Sequence, residues 1–235
     1  MREKFKSETE LAEQVIKYLK DLKWEVYQEV QIASYGSIAD IVAVKNGLVW
    51  IIECKLSLSL DVIGQAECWT RHANYTSVAV PASLKDSKGR DFAYKILKQY
   101  GIGCFEMPHP DSYSYRSHLQ RIQSKLNRTA ITSLIKRSLC EEQKTWAKAG
   151  NSKGSRYTPF QDTTNQILRA VANKPGMTFK ELMNEINHHY SSDTCARSSI
   201  LQWIHRGVIK GVRLKLKGKN YTLYLEKKKC KRKNK

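Results

Sequence analysis

Ser37-Ile-Ala-Asp-Ile-Val-Ala-Val-Lys-Asn-Gly-Leu-Val-Trp-Ile-Ile-Glu-Cys-Lys55 reads as a β-hairpin with a chemical problem at its open end. Two β-branched, largely apolar runs meet at Asn46-Gly47, and both turn residues tolerate the positive φ that a two-residue type I′ turn demands. Such a turn fixes the register. Lys45 then pairs with Leu48, Val44 with Val49 and Val42 with Ile51, and Asp40 falls opposite Glu53. Like charges directly opposite one another destabilise a sheet. Lys55 projects from the same face as Glu53, because side chains alternate along a strand. An acid pair flanked by a lysine is poor packing for an apolar hairpin but suits a divalent metal.

Outward from the hairpin, Ser7 to Leu22 has apolar residues at helical spacing (Leu11, Val15, Ile16, Leu19), with Ser7 and Glu10 as a capping box. Trp24 to Ile32 reads as a strand, followed by a turn at Ser34 to Ser37. Beyond Lys55 a short loop leads to a helix ending near Ala73. Tyr75 to Val80 is a buried strand, Lys88 to Tyr100 a helix and Ile102 to Glu106 a last strand. The order α, β, β, β, α, β, α, β implies an α/β fold with a mixed sheet and helices on both faces, since crossovers connect parallel strands and cover the sheet.

Residues 107–158 carry ten Lys or Arg against three acids (Asp111, Glu141, Glu142) and read as a basic, partly helical linker. Residues 159–226 have their own apolar pattern: helices at Thr163 to Ala172, Thr178 to Ile186 and Ser192 to Arg206, then a hairpin from Val208 to Leu216 and Tyr221 to Leu225. Three short helices and a basic ribbon are the order of a winged-helix-like α+β domain. Residues 227–235 are almost all basic and read as a disordered tail.

Composition bounds the partners. The 235 residues carry a formal net charge of +19, which points to a polyanion, and to nucleic acid in particular. No apolar run is long enough for a membrane span. The charged N-terminus lacks the apolar core of a signal peptide, so the cytoplasm is the expected compartment. Six scattered cysteines form no Cys-x-x-Cys pair and are expected to be reduced.

Asp40 and Glu53 offer hard oxygen ligands suited to magnesium, with manganese as a substitute. Lys55 is placed to position or help deprotonate an attacking water, or to stabilise charge in a phosphoryl transition state. Asp40 together with Ile52-Glu53-Cys54-Lys55 resembles the signature of the PD-(D/E)XK nuclease superfamily of restriction endonucleases, junction resolvases and repair nucleases. The α-β-β-β-α-β order over about residues 5 to 106 is similar to that family's core, although Ala39-Asp40 stands where the family has Pro-Asp. The resemblance implies a restriction-endonuclease-like domain over residues 1–106 that cuts DNA. It also implies a metal-ligating glutamate on the first helix, which looks like Glu10, with Glu8 and Glu13 as alternatives. Its glutamine on the following helix looks like Gln65. Glu29 could face the same site from the neighbouring strand. One such site cuts one strand at a time, so cutting a duplex favours a homodimer.

In the C-terminal domain Thr194, Arg197, Ser198 and Gln202 are the candidate DNA contacts of the third helix, with Lys215, Lys217 and Lys219 on the ribbon for phosphates. Trp203 and Ile204 are assigned to its core, and His188-His189 to a helix-end or interface role rather than a metal pair. The competing functional reading is a DNA-binding regulator built on an inactive nuclease-like scaffold.

Overall fold

A computed structural model describes residues 4–32, 37–83, 87–110, 120–150, 156–218 and 220–226. The expected turn at 34–36, Lys219 and the tail at 227–235 lie outside them. The chain divides into two compact units, Met1–Tyr157 and Thr158–Lys235.

The first unit is α/β. Helix α1 (Glu8–Asp21) starts where the Ser7 side chain accepts a hydrogen bond from the Glu10 amide, and it buries Leu11, Val15, Ile16 and Leu19. Strands β1 (Glu25–Gln31), β2 (Ile38–Lys45) and β3 (Leu48–Cys54) form an antiparallel meander. Between β2 and β3, Asn46 and Gly47 take φ of +50° and +79°, and the register runs from Lys45 opposite Leu48 to Ile41 opposite Ile52. The turn chemistry alone therefore sets which residues meet.

Helix α2 (Leu60–Trp69), β4 (Tyr75–Pro81), α3 (Lys88–Tyr100) and β5 (Gly103–Met107) follow as crossovers, so β4 and β5 add in parallel beside β3. A sixth strand, β6 (Gln120–Ile122), pairs antiparallel with β5, and the sheet order is β1-β2-β3-β4-β5-β6. Alternation sends Trp50, Ile52 and Cys54 to the α1 side with Phe105, while Val49 and Ile51 pack with Trp69 on the other. Val62 and Ile63 of α2 and Leu97 of α3 cover Val78 and Val80.

The stretch expected to be a linker is instead part of this unit. Besides β6 it forms α4 (Ser133–Arg137) and a 3-10 turn at Glu141–Lys144. Ile135 is fully buried beside Trp69 and Ala73, and Ala149 is buried under α1. Gln28 clamps the same stretch, donating to the Lys144 carbonyl at 3.0 Å and accepting from the Ala149 amide at 3.1 Å. Its few apolar residues are spread among many bases, so no periodicity announces the packing.

The second unit comprises α5 (Pro159–Asn173), β7 (Met177–Thr178), α6 (Phe179–Glu185), α7 (Asp193–His205), β8 (Val212–Lys217) and β9 (Asn220–Leu225). Its sheet is antiparallel with the order β7-β9-β8. Helix α5 begins four residues before the expected Thr163, because Thr158 and Gln161 form a capping box and Pro159 suits the first turn. Ile167, Val171, Leu182, Ile200 and Leu223 form the centre of its core. Trp203 packs against that core and Ile204 belongs to it, as expected.

Among the described residues no helix is long and apolar enough to cross a membrane.

Candidate active site

Asp40 and Glu53 meet where the β2–β3 ladder ends. The next step beyond Ile41 and Ile52 sets these two carboxyls side by side, close enough to share a hydrogen bond. The Cys54 amide donates to Asp40 Oδ2 at 2.9 Å, so a side chain replaces the partner strand's carbonyl at the frayed end. Glu53 is only 3% exposed, and Trp69 Nε1 donates to its Oε1 at 2.6 Å. The Cys54 side chain turns to the opposite sheet face and is buried under α1, as alternation requires.

Burial raises both carboxyls above the ordinary carboxylate range, and the neighbouring Asp40 charge pushes Glu53 well above it. Lys55 Nζ lies 2.9 Å from Glu8 Oε2. Burial acts to lower the Lys55 pKa, but the Glu8 bond and the nearby Asp40 and Glu53 charges outweigh it and leave it raised.

These groups line an open cleft of about 320 Å³. Among the described residues its charged side chains are Glu8, Glu29, Asp40 and Glu53 against Lys55 and Arg156, four acids to two bases in a chain whose overall charge is +19. Gln65 lines it too, exposed on α2. The hairpin thus brings Asp40, Glu53 and Lys55 together as its register requires, and α2 brings Gln65.

Glu10 is not among them. It accepts from the Lys6 amide at 2.7 Å and stands 3.4 Å from His109 Nε2. Residues 8 and 10 of a helix point about 200° apart at 3.6 residues per turn, so only one can face the cleft. The first-helix acid there is Glu8. Glu13 is drawn off to Lys148 at 2.6 Å.

Glu29 does reach the cleft, through an irregularity that no sequence pattern announces. Its φ is +51° within β1, a conformation costing a non-glycine residue about 1–3 kcal/mol. Arg156, which lines the cleft as well, was missed, since it sits in the stretch expected to be a linker.

Comparison with protein-family models, curated proteins and solved structures gave no match. The chemistry rests on the geometry. Among the described residues no three His, Cys, Asp or Glu side chains are grouped to hold one ion. An adjacent carboxylate pair does fit a hard cation such as magnesium, which keeps several waters and takes one or two carboxylates.

A stability prediction follows from the raised pair. A carboxyl whose folded pKa exceeds its unfolded value stabilises fully below about pH 4, and that contribution is lost as pH rises through the folded value. Glu53→Gln removes the ionisation while keeping an acceptor for Trp69. Without metal it should raise the melting temperature more at pH 8 than at pH 4.5, with each kcal/mol worth about 2–4 °C at this size. Equal shifts at both pH values in differential scanning fluorimetry would count against a strained acid pair.

In the second unit Thr194, Arg197, Ser198 and Gln202 are exposed on α7, while Ala196, Ile200 and Ile204 face inward. The Arg197 guanidinium also lies 6.0 Å from the Phe179 ring centroid. Lys215 and Lys217 are exposed on β8, Lys215 Nζ being 4.8 Å from the Tyr224 centroid. His188 Nε2 meets Asp193 Oδ1 at 3.1 Å and His189 Nδ1 meets Thr163 Oγ1 at 2.9 Å, so the two rings serve separate contacts.

Proposed function

We propose that this chain is a metal-dependent endonuclease that hydrolyses phosphodiester bonds in DNA. Its N-terminal unit would be a catalytic domain of the PD-(D/E)XK kind and its C-terminal unit a winged-helix-like DNA-binding module. The observation that carries the reading is the closely set Asp40–Glu53 pair beside Lys55, half-buried at Asp40 and buried at Glu53, on the wall of an open acidic cleft in a strongly basic chain. A pair that destabilises its own fold is expected where a cation or a reaction uses it.

Asp40 and Glu53 would hold the metal. When bound, magnesium supplies Lewis-acid stabilisation of a phosphate oxygen and a more acidic water. The protein's own part is to orient and neutralise. Lys55, kept charged by Glu8, donates hydrogen bonds to the attacking water or to a non-bridging phosphate oxygen as negative charge grows. Trp69 fixes the rotamer of Glu53, and the Cys54 amide fixes that of Asp40. Gln65 stands at the cleft edge, within the role of orienting water or substrate.

The C-terminal order of helix, short strand, two helices and a two-stranded ribbon supports the winged-helix reading. The outward set on α7 suits a groove, and Lys215 and Lys217 suit phosphates. Removing residues 158–235 should weaken DNA binding and flatten its dependence on salt, as fewer counterions are released. Unchanged affinity and slope in fluorescence anisotropy would remove the anchor role. A homodimer is the expected form for cutting both strands.

The rival, a DNA-binding regulator on an inactive scaffold, draws on the lack of a third grouped ligand among the described residues. Supercoiled, linear, single-stranded and branched DNA incubated with magnesium or manganese separate the two. Cleavage of at least one substrate that chelation by EDTA abolishes is expected; tight binding without cleavage of any would favour the regulator.

A further inference from the structure

We propose that Arg156 is a phosphate-contacting residue of the cleft and that Glu29 is the positioning residue that aims it. The inference rests on the nuclease reading above. Among the described residues, three non-glycine residues have positive φ: Lys23, Glu29 and Asn46. Lys23 directly follows the C-cap of α1 and Asn46 lies in the hairpin turn, both ordinary places for that conformation. Glu29 lies inside a strand. Tyr27 and Val30, three residues apart, both join the core beside Trp69, although simple alternation would send them to opposite faces. The backbone is thus twisted at Glu29, and the twist delivers a carboxylate that is 4% exposed to the cleft wall.

Both of its oxygens face the same downstream chain. Oε1 accepts from the Gly150 amide at 2.9 Å, and Oε2 lies 3.3 Å from Arg156 Nε. Gly150 has φ of +76°, and a Cβ there would stand 2.8 Å from the carbonyl carbon of Glu8. This chain therefore presses on the start of α1, beside the acid that holds Lys55. Among the described residues the cleft carries two cations, each tied to its own acid: Lys55 to Glu8 and Arg156 to Glu29. That assignment gives Glu29 work other than metal ligation.

Arg156 is suited to more than a strut. Its side chain is 32% exposed, and Nε is the atom engaged with Glu29. A guanidinium has five N–H donors in a planar fork that matches two phosphate oxygens, so the contact with Glu29 uses a fraction of its capacity. It also lies two residues before Thr158, where the second unit begins. A backbone phosphate entering the cleft would meet Lys55 and Arg156 around the Asp40–Glu53 pair.

The test uses the full chain with Arg156→Ala and Arg156→Lys. Three quantities are measured: magnesium-dependent cutting, the salt dependence of duplex binding on a Glu53→Gln background, and the melting temperature. Arg156→Ala should cut roughly 10²-fold more slowly. Its slope of log affinity against log salt should fall by about 0.9, the loss of one phosphate contact, together with a fall in melting temperature because the buried Glu29 loses its cation. Arg156→Lys should keep the slope and cut at an intermediate rate, since it retains the charge without the fork. Wild-type cutting and slope in Arg156→Ala would overturn the inference while leaving the nuclease reading intact. So would lowered melting with an unchanged slope, which marks a strut. If Arg156→Ala does not fold, Arg156→Lys decides: a wild-type slope with slower cutting is expected, and wild-type cutting there overturns the proposal. A wild type that cuts nothing removes the nuclease reading and this inference together.

Discussion

Lys55→Ala should slow strand cleavage by about 10²- to 10³-fold, the range for removing one preorganised donor aimed at developing charge. The same change should leave the magnesium-linked rise in melting temperature in place, because Asp40 and Glu53 remain. Lys55 stands at the junction of both roles of the hairpin. It lines the cleft beside the acid pair, and its ammonium is anchored by Glu8 at 2.9 Å rather than by Asp40 or Glu53. Without it the described lining of the cleft keeps four acids against Arg156, so the metal-free protein should also lose stability. Glu8→Gln should act in the same direction but more weakly, since it loosens Lys55 without removing its charge. Full activity in Lys55→Ala, measured by gel assay at matched protein, would detach the lysine from the chemistry.

A chain ending at Glu106 should not unfold cooperatively, whereas one ending at Tyr157 should. Cutting at 106 removes the last residue of β5, all of β6 and α4, and strips Ile122, Ile135 and Ala149 from the core. Burying an isoleucine is worth about 1.5–3 kcal/mol, so two isoleucines alone approach the 5–15 kcal/mol that holds a domain together. Polar partners are lost as well. Asn74, whose Oδ1 accepts from the Val49 amide, gives its Nδ2 to the Asn127 carbonyl at 3.0 Å, and Gln28 gives up both of its contacts with residues 144–149. The shorter chain should show a broad, non-cooperative melt by circular dichroism. A sharp two-state melt from it would return residues 107–157 to the role of a tether.

Much of this was legible because short-range chemistry was strong where it mattered. Asn46-Gly47 fixed a register from which Asp40 and Glu53 follow by counting, and alternation put Cys54 on the other face. Helical period separated the outward Thr194, Arg197, Ser198 and Gln202 from the inward Ala196, Ile200 and Ile204 on α7. What stayed hidden depends on tertiary contact. Glu8, Glu10 and Glu13 all lie on α1, and its apolar stripe says which side is buried but not how the helix start is rotated against Lys55. Glu10 met the capping pattern, yet its carboxylate went to Lys6 and His109. The docking of residues 120–157 leaves almost no hydrophobic period to read. Glu29 could be named as a residue facing the site, but not how it gets there: a left-handed glutamate inside a strand contradicts local preference, and its contacts with Gly150 and Arg156 are tertiary.

Asp40, Glu53 and Lys55 are proposed to form a metal-dependent phosphodiester-cutting site. Its most direct test is single-turnover nicking of supercoiled plasmid by the wild type and by Glu53→Gln, each with magnesium and with EDTA. The wild type should convert plasmid to nicked circles with magnesium alone, and Glu53→Gln should bind the plasmid equally and cut it at least about 10²-fold more slowly. Nicking by Glu53→Gln at the wild-type rate, or wild-type nicking that persists in EDTA, would contradict it.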